Sequence, residues 1–212
     1  MRYVKNREFI LSSLTGFALL FVSIMANAYA VQYAARTASN SVTDIILSNI
    51  PVYNVDGIFV YGAVLLILCI VIACLSQPKS IPFVLKSISL FVLIRSFFVS
   101  LTHISPYPEH VTITQNIFTT LFPSIFLGDD LFFSGHAGLP FLMTLIFWNS
   151  PIFRVLFITF SVLLSATVLL GHLHYSIDVA SAFFITTTIF AIARSIFKKD
   201  WELFKSTSDA IY

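Results

Sequence analysis

The chain has 212 residues, of which 58% are hydrophobic and only 10% are charged, and its mean hydropathy is +0.91. A soluble domain carries about 25% charged residues, so this composition excludes an ordinary soluble protein and indicates an integral membrane protein. The formal net charge of +2 gives no reason to expect a nucleic-acid partner.

Six apolar stretches approach the roughly 20 residues that a helix needs to cross the hydrocarbon core of a bilayer. The fourth is the shortest, and its start is the least clearly marked. The stretches cover residues 9–31, 57–76, 81–102, 132–149, 152–171 and 176–196. The sequence therefore predicts an all-α, polytopic membrane protein, a bundle of six transmembrane helices in which residues 1–212 form a single membrane domain.

The Lys and Arg residues are distributed unevenly between the two predicted sides of the membrane. Ten of the twelve fall on the side that carries both termini, and only Arg36 and Arg95 fall on the other side. Because basic residues are retained in the cytoplasm, we expect both termini there. Alternatively, Ala26-Asn27-Ala28 marks a signal-peptide cleavage site, and cleavage leaves five spans with the same orientation.

All five histidines fall on the opposite, extracytoplasmic side of the predicted bundle. Ionisable groups at the edge of a bilayer are costly to place and commonly mark function. The compact chain favours a bacterial inner membrane, with this side facing the periplasm, over a lumenal face of an internal membrane. The histidines are His103, His110, His136, His172 and His174.

His174 and Asp178 are four residues apart and share a face if both lie on one helix. If the helix starts only after Ser176, the two side chains can still meet across a turn. A carboxylate beside one ring nitrogen fixes the tautomer and makes the other nitrogen a better base or nucleophile. The pair is a candidate catalytic unit, although an interfacial histidine beside a carboxylate gives the same spacing.

Ser134-Gly135-His136 stands where a polar stretch ends and an apolar run begins. Ser134 is a candidate N-cap, and Gly135 lacks the side chain that would keep a ligand from the backbone. The free N–H groups of a helix start suit an anion, which would then lie beside His136. A plain helix cap with an incidental histidine is the alternative interpretation.

The two segments together suit phosphoryl transfer, in which one histidine attacks phosphorus and the other protonates the departing oxygen. This chemistry requires no metal or other cofactor, and we expect none. A metal site that uses His172 and His174 is the alternative. Those residues are two apart and would point to different faces of a helix, and no Glu or Cys completes a familiar ligand set.

The same segments are similar to those of a known family. Gly128-Asp129, Ser134-Gly135-His136 and His174-Tyr175-Ser176-x-Asp178-Val179 resemble the motifs of the sphingomyelin synthase family, within the lipid phosphate phosphatase (PAP2) superfamily. The likeness covers roughly residues 95–188. It implies a PAP2-like fold with a catalytic half at roughly 81–196 and a cytoplasmic tail at 197–212.

The resemblance also implies roles for individual residues. His174 is the nucleophile, Asp178 orients it, and His136 is the general acid and then the general base. Arg95 holds the phosphate, Asp129 or Asp130 contacts a cationic head group, and an aromatic cage surrounds a quaternary ammonium. The implied substrate-binding residues are Ser134, Gly135, Arg95, Asp129 and Tyr175, and the cage adds Tyr107, Phe132 and Phe133.

The chain departs from the phosphatase branch of this superfamily at three positions. Phe133 replaces a proline, Thr167-Val168 replaces Ser-Arg, and Ile88 replaces a lysine if Arg95 is aligned with the branch's arginine. The missing cations clamp a phosphomonoester dianion in that branch. Their absence favours a phosphodiester, which carries one negative charge.

These observations predict a phospholipid head-group transferase. It moves a phosphocholine- or phosphoethanolamine-type group from a glycerophospholipid to a ceramide-like alcohol through a phosphohistidine, and it releases diacylglycerol. Its partners are therefore a membrane phospholipid donor and a lipid alcohol acceptor. One alternative is a lipid phosphatase or phospholipase C-type hydrolase with the same site, and another is a non-enzymatic transporter subunit or scaffold.

Overall fold

The computed structural model describes residues 7–121 and 131–208. The helices in these residues are numbered in chain order, and two short 3-10 helices, Leu47–Asn49 and Pro78–Ser80, lie between them. No β-strand occurs in the described ranges. The α-helices are α1 (Arg7–Thr37), α2 (Asp56–Ser76), α3 (Ile81–Leu101), α4 (Ile117–Leu121), α5 (Gly135–Ile146), α6 (Pro151–Leu170), α7 (Ser176–Ile196) and α8 (Lys198–Ser208).

Five of these helices are long and apolar enough to cross a membrane: α1, α2, α3, α6 and α7. The all-α membrane architecture expected from the composition is confirmed. The fourth predicted span corresponds to α5, which has 12 residues and a length of about 18 Å. Because a hydrocarbon core is about 30 Å thick, α5 alone does not cross it.

Local chemistry explains why α5 starts later than the apolar stretch does. The backbone of Ser134 is extended, with φ −62° and ψ 119°, and its side chain accepts a hydrogen bond from the backbone N–H of Ala137. This contact is an N-cap, so the helix begins only at Gly135. Residues 132 and 133, which the sequence placed inside the span, precede the helix.

The long helices alternate in direction, so the segments between them collect at two ends of the bundle. We call one the histidine end: segments 38–55, 102–116 and 171–175 with the start of α5. It carries all five histidines, and backbone hydrogen bonds join Tyr53 to Leu170 and Val111 to Gly171, both at 2.9 Å. The basic end comprises the start of α1, the turns at 77–80 and 147–150, and α8.

Helix α1 packs chiefly on α3, whereas α5 packs on α6 and α7 in the centre of the bundle. Small residues permit the close approach of α5 to its neighbours. A β-carbon built on Gly138 would lie 2.9 Å from the ring of Phe91 on α3 and 2.9 Å from Oγ1 of Thr186 on α7. Gly138 therefore marks the point where three helices meet most closely.

We expect Gly138→Ala to destabilise the protein by about 1–3 kcal/mol, because the added methyl group overpacks this junction. The measurement is the midpoint of thermal unfolding in detergent. The matched control is Gly57→Ala on α2, where a β-carbon would meet no atom within 4 Å. Equal midpoints for the two variants would contradict the close packing of α3, α5 and α7.

Candidate active site

The start of α7 brings His174 and Asp178 together. Tyr175 is the N-cap, and Asp178 in the first turn accepts a hydrogen bond from the backbone N–H of Tyr175 through Oδ2, at 3.0 Å. The same oxygen lies 3.3 Å from Nδ1 of His174. The helix begins only at Ser176, so the two side chains meet across the turn before it.

This contact decides which nitrogen of the His174 ring is available for chemistry. An ionised carboxylate only accepts hydrogen bonds, so Nδ1 carries the proton and Nε2 carries the free lone pair. His174 is 4% exposed and Asp178 is 3% exposed, so little water competes for the contact. The carboxylate would also stabilise positive charge that develops on the ring during a reaction.

The start of α5 lies directly against the start of α7. The backbone N–H of Ser134 donates to the backbone oxygen of Asp178 at 3.0 Å. Gly135 and His136 are then the first two residues of α5, where backbone N–H groups have no partner within the helix. Two helix starts and two histidines therefore share one region of the histidine end.

His136 lies between these helix starts and the core. Its ring centroid is 4.2 Å from that of Phe59 on α2, and the ring is close enough to His174 and Arg95 for electrostatic interaction with both. The Nε2 atom is buried and has no hydrogen-bond partner in the described part of the chain. A buried ring nitrogen without a partner is costly, which is typical of a group that meets a ligand.

Arg95 is a buried cation that reaches the start of α5 from α3. It is 7% exposed, and its Nε donates to the backbone oxygen of Phe133 at 2.9 Å. Its NH1 donates to Oδ1 of Asn27 on α1, at 3.4 Å. A β-carbon on Gly135 would lie 3.2 Å from Nε, so the glycine lets the guanidinium approach the helix backbone. The arrangement provides positive charge beside His136.

Tyr175 joins the outer segments of the protein to the start of α7. It is 2% exposed, its hydroxyl donates to the backbone oxygen of Ser105 at 2.9 Å, and it accepts from the backbone N–H of Val42 at 3.2 Å. The hydroxyl therefore contacts the loop backbone. The contact of Tyr175 with a substrate, which the resemblance implied, stays a prediction.

Asp44 is a buried carboxylate of the histidine end that the sequence analysis missed. Its Oδ2 accepts from the backbone N–H and from Oγ of Ser176, at 2.7 and 2.8 Å. Its Oδ1 accepts from the backbone N–H groups of Ile46 and Leu47, at 2.8 and 3.1 Å. Asp44 thus fastens segment 38–55 to the start of α7. No local motif marked it, because its partner lies 132 residues away.

The other three histidines contact backbone oxygens. Nδ1 of His172 lies 2.9 Å from the oxygen of Glu109, Nδ1 of His110 lies 2.6 Å from that of Tyr107, and Nε2 of His103 lies 3.2 Å from that of Ser100. Within residues 7–121 and 131–208, no three His, Cys, Asp or Glu side chains form a group that would hold a metal ion.

The four aromatic side chains expected to form a cage are divided between two places. Tyr107 and Tyr175 pack edge to face with centroids 6.1 Å apart. Phe132 and Phe133 instead pack on Phe98 of α3, and Phe133 has no exposed surface. Phe133 therefore belongs to the core. Asp129 and Asp130 lie outside the described residues.

One comparison with known proteins gave a match. Residues 128–195 match the family model described as PAP2 superfamily C-terminal. The match includes the starts of α5 and α7 and supports membership of the PAP2 superfamily. It thereby supports a lipid enzyme of the phosphatase or phosphotransferase type that acts on phosphate esters. A search of curated proteins and a search of solved structures found no match.

The titration of Asp44 gives a prediction about stability. Burial raises the pKa of this carboxyl, but hydrogen bonds from Leu47, Ser176 and Ile46 outweigh burial and hold the pKa below its ordinary value of 3.8. A depressed folded-state pKa stabilises the protein above the unfolded-state pKa, and this stability is lost as the pH falls through the folded-state pKa.

We therefore expect Asp44→Asn to lower the thermal midpoint at pH 7, because hydrogen bonds to a charged acceptor contribute about 1.5–3 kcal/mol. The difference from the wild-type protein should shrink as the pH falls below 3.8. Thermal unfolding in detergent from pH 7 to pH 3 measures both effects. A difference that stays constant over this range would contradict the role of the ionised carboxylate.

Proposed function

We propose that this protein is a phospholipid head-group transferase. It moves a phosphocholine- or phosphoethanolamine-type group from a glycerophospholipid to a ceramide-like alcohol and releases diacylglycerol. The observation that carries the proposal is the contact of Nδ1 of His174 with Asp178, beside a second histidine, His136, whose Nε2 is buried, and a buried Arg95. A nucleophile, an acid–base group and an anion site are thereby available together.

In the first half of the proposed reaction, Nε2 of His174 attacks phosphorus and the bond from phosphorus to the glyceride oxygen breaks. His136 enters this step protonated, a form that the bound phosphodiester anion favours, and gives its proton to that oxygen as diacylglycerol leaves. The substituted His174 ring carries positive charge, which the Asp178 carboxylate stabilises at 3.3 Å. The guanidinium of Arg95 stabilises the charge on the phosphoryl oxygens.

In the second half, the neutral His136 takes the proton of the acceptor hydroxyl. The acceptor oxygen attacks phosphorus, and the bond from phosphorus to Nε2 of His174 breaks. His174 then leaves as a neutral ring whose Nδ1 proton still faces Asp178, and the second lipid carries the head group. Both histidines return to their starting protonation states, so the cycle consumes no other reactant.

The charge of the site supports a diester over a monoester. Segments 38–55, 102–116 and 171–175 contain no Lys or Arg, and the cations at the adjoining ends of α1 and α3 are Arg36, which is exposed, and Arg95, which is buried. Val168, which stands where the phosphatase branch has an arginine, is fully buried, and Oγ1 of Thr167 donates to the backbone oxygen of Leu163. With the Arg95 guanidinium, a protonated His136 and the Asp178 carboxylate, the site carries one net positive charge, which the single negative charge of a phosphodiester balances.

The shielding of the site supports transfer to a lipid alcohol over transfer to water. Segments 38–55 and 102–116 are fastened across the start of α7 through Asp44 and Tyr175. His174 and Asp178 are almost inaccessible beneath them. Exclusion of water protects a phosphohistidine from hydrolysis until the second lipid arrives. A hydrolase with the same residues is the alternative that the experiments must separate.

Substrates whose leaving groups differ in their need for a proton distinguish the roles of the two histidines. We expect His174→Ala to abolish formation of a phosphoprotein from any phosphodiester. His136→Ala should lose about 10²–10⁴-fold in turnover of a natural phospholipid, the usual contribution of a general acid. It should still form the phosphoprotein from p-nitrophenyl phosphorylcholine, whose leaving group needs no proton.

The measured quantity is the amount of acid-labile, base-stable phosphoprotein that purified protein forms from a substrate with a labelled head group. The control is His103→Ala, because that ring also lies at the histidine end and packs edge to face on Tyr33. This control should keep full activity. A phosphoprotein that still forms in His174→Ala would remove that residue as the nucleophile.

The acceptor is tested with the wild-type protein in mixed micelles. With phosphatidylcholine or phosphatidylethanolamine as donor, we expect ceramide to be converted to a phosphosphingolipid in amounts equal to the diacylglycerol released. Phosphatidic acid should release little phosphate under the same conditions. Head-group release that is independent of ceramide would instead show that the protein is a phospholipase C-type hydrolase. Rapid phosphate release from phosphatidic acid would show that it is a lipid phosphatase.

A further inference from the structure

A cavity lies at the basic end, far from the histidines. Its volume is about 460 Å³, within the range of about 300–1,000 Å³ found for small-ligand sites. It is enclosed by the ends of α2, α5 and α7, the turns 77–80 and 147–150, and α8. Because α7 starts at Ser176, two residues after His174, and its residues Phe190 and Arg194 line this cavity, about 21–27 Å of helix separates the two places.

The lining of this cavity is positively charged. Lys79, Arg194 and Lys205 contribute to it, and the described residues that line it include no Asp or Glu. The nearest acidic residues of α8 face other cations: Asp200 lies 2.7 Å from Lys86, and Glu202 lies 3.8 Å from Lys198. An anion that enters the cavity would therefore meet the guanidinium of Arg194 and the ammonium of Lys205.

Aromatic side chains hold two of the cations in place. The guanidinium of Arg194 lies 5.2 Å from the ring centroid of Trp201, and the ammonium of Lys205 lies 5.6 Å from it. Each contact is within the distance of a cation–π interaction. Trp148 and Phe204 add apolar surface to the same cavity. The cavity thus combines a charged part with an apolar wall.

We propose that this cavity binds the head-group phosphate of an anionic phospholipid. The cations attract the phosphate, and the apolar wall contacts the start of the acyl chains. A zwitterionic head group would place its ammonium beside Arg194 and Lys205, and the described lining residues offer it no carboxylate, so an anionic lipid is preferred. Basic cavities at the ends of transmembrane helices suit this ligand.

The position of α8 supports a lipid over a soluble anion. Phe204 and Asp200 on one face of α8 are buried in the protein, whereas Lys198, Lys199 and Glu202 on the other face are exposed. An amphipathic helix of this kind lies along the membrane surface. Trp148, which is 50% exposed, is at the level where tryptophan is enriched in membrane proteins. The cavity therefore opens beside lipid head groups.

The fluorescence of the protein's own tryptophans reports on this cavity. Trp148 and Trp201 are its only two tryptophans, and both line the cavity. Quenching of tryptophan fluorescence by phospholipids with brominated acyl chains therefore reports binding there. In neutral-detergent micelles, we expect brominated phosphatidylglycerol to quench at a far lower mole fraction than brominated phosphatidylcholine, and unlabelled phosphatidylglycerol to reverse the effect.

The variant Arg194→Gln/Lys205→Gln tests the cations. Each Lys or Arg near an anionic lipid contributes about 1 kcal/mol, or about fivefold in affinity, so the pair should weaken binding about 30-fold. The control, Lys198→Gln/Lys199→Gln, removes the same charge from the exposed face of α8 and should keep the wild-type affinity. If the double variant does not fold, Lys205→Gln alone should weaken binding about fivefold.

Three results would overturn the proposal. Equal quenching by the two lipids would show that the cavity does not select an anionic head group. An equal loss of lipid affinity in the control variant would show that the lipid is attracted by the overall charge of the surface and not by this cavity. Displacement of phosphatidylglycerol by millimolar inorganic phosphate would assign a soluble anion instead. None of these measurements depends on turnover, so they are independent of the proposed transferase activity.

Discussion

The site depends on the position of one carboxylate, that of Asp178. Its Oδ2 accepts the backbone N–H of Tyr175, which caps α7, and the same oxygen lies 3.3 Å from Nδ1 of His174. Its backbone oxygen accepts the N–H of Ser134, which caps α5. The capping of two helices, the orientation of one histidine and the approach of the other therefore all depend on this residue.

Segments 38–55 and 102–116 cover the site that Asp178 organises. Asp44 and Tyr175 connect segments 38–55 and 102–116 to the start of α7 through hydrogen bonds to backbone groups. Their burial places the His174–Asp178 contact in a medium where electrostatic interactions are stronger than in water. The family match begins at residue 128, so these segments lie outside it. The region that matches the family model is thus covered by a part of the chain that the family model does not describe.

Local patterns predicted much of the architecture and the pairing of His174 with Asp178. Apolar length identified five spanning helices, and Ser134 was recognised as an N-cap. The fourth span was predicted too long, because composition alone does not show where an extended backbone delays a helix. The expected aromatic cage divided into two groups, since ring positions depend on which helices pack together.

The sequence by itself determined the membrane class, the order of the helices and the gathering of all five histidines at one end. Those features follow from hydropathy and from the alternation of spans, which need no knowledge of packing. Only the tertiary structure decided that Asp44 holds α7, that Arg95 reaches α5, and that both tryptophans line a basic cavity. These contacts join residues far apart in the chain, and no local spacing encodes them.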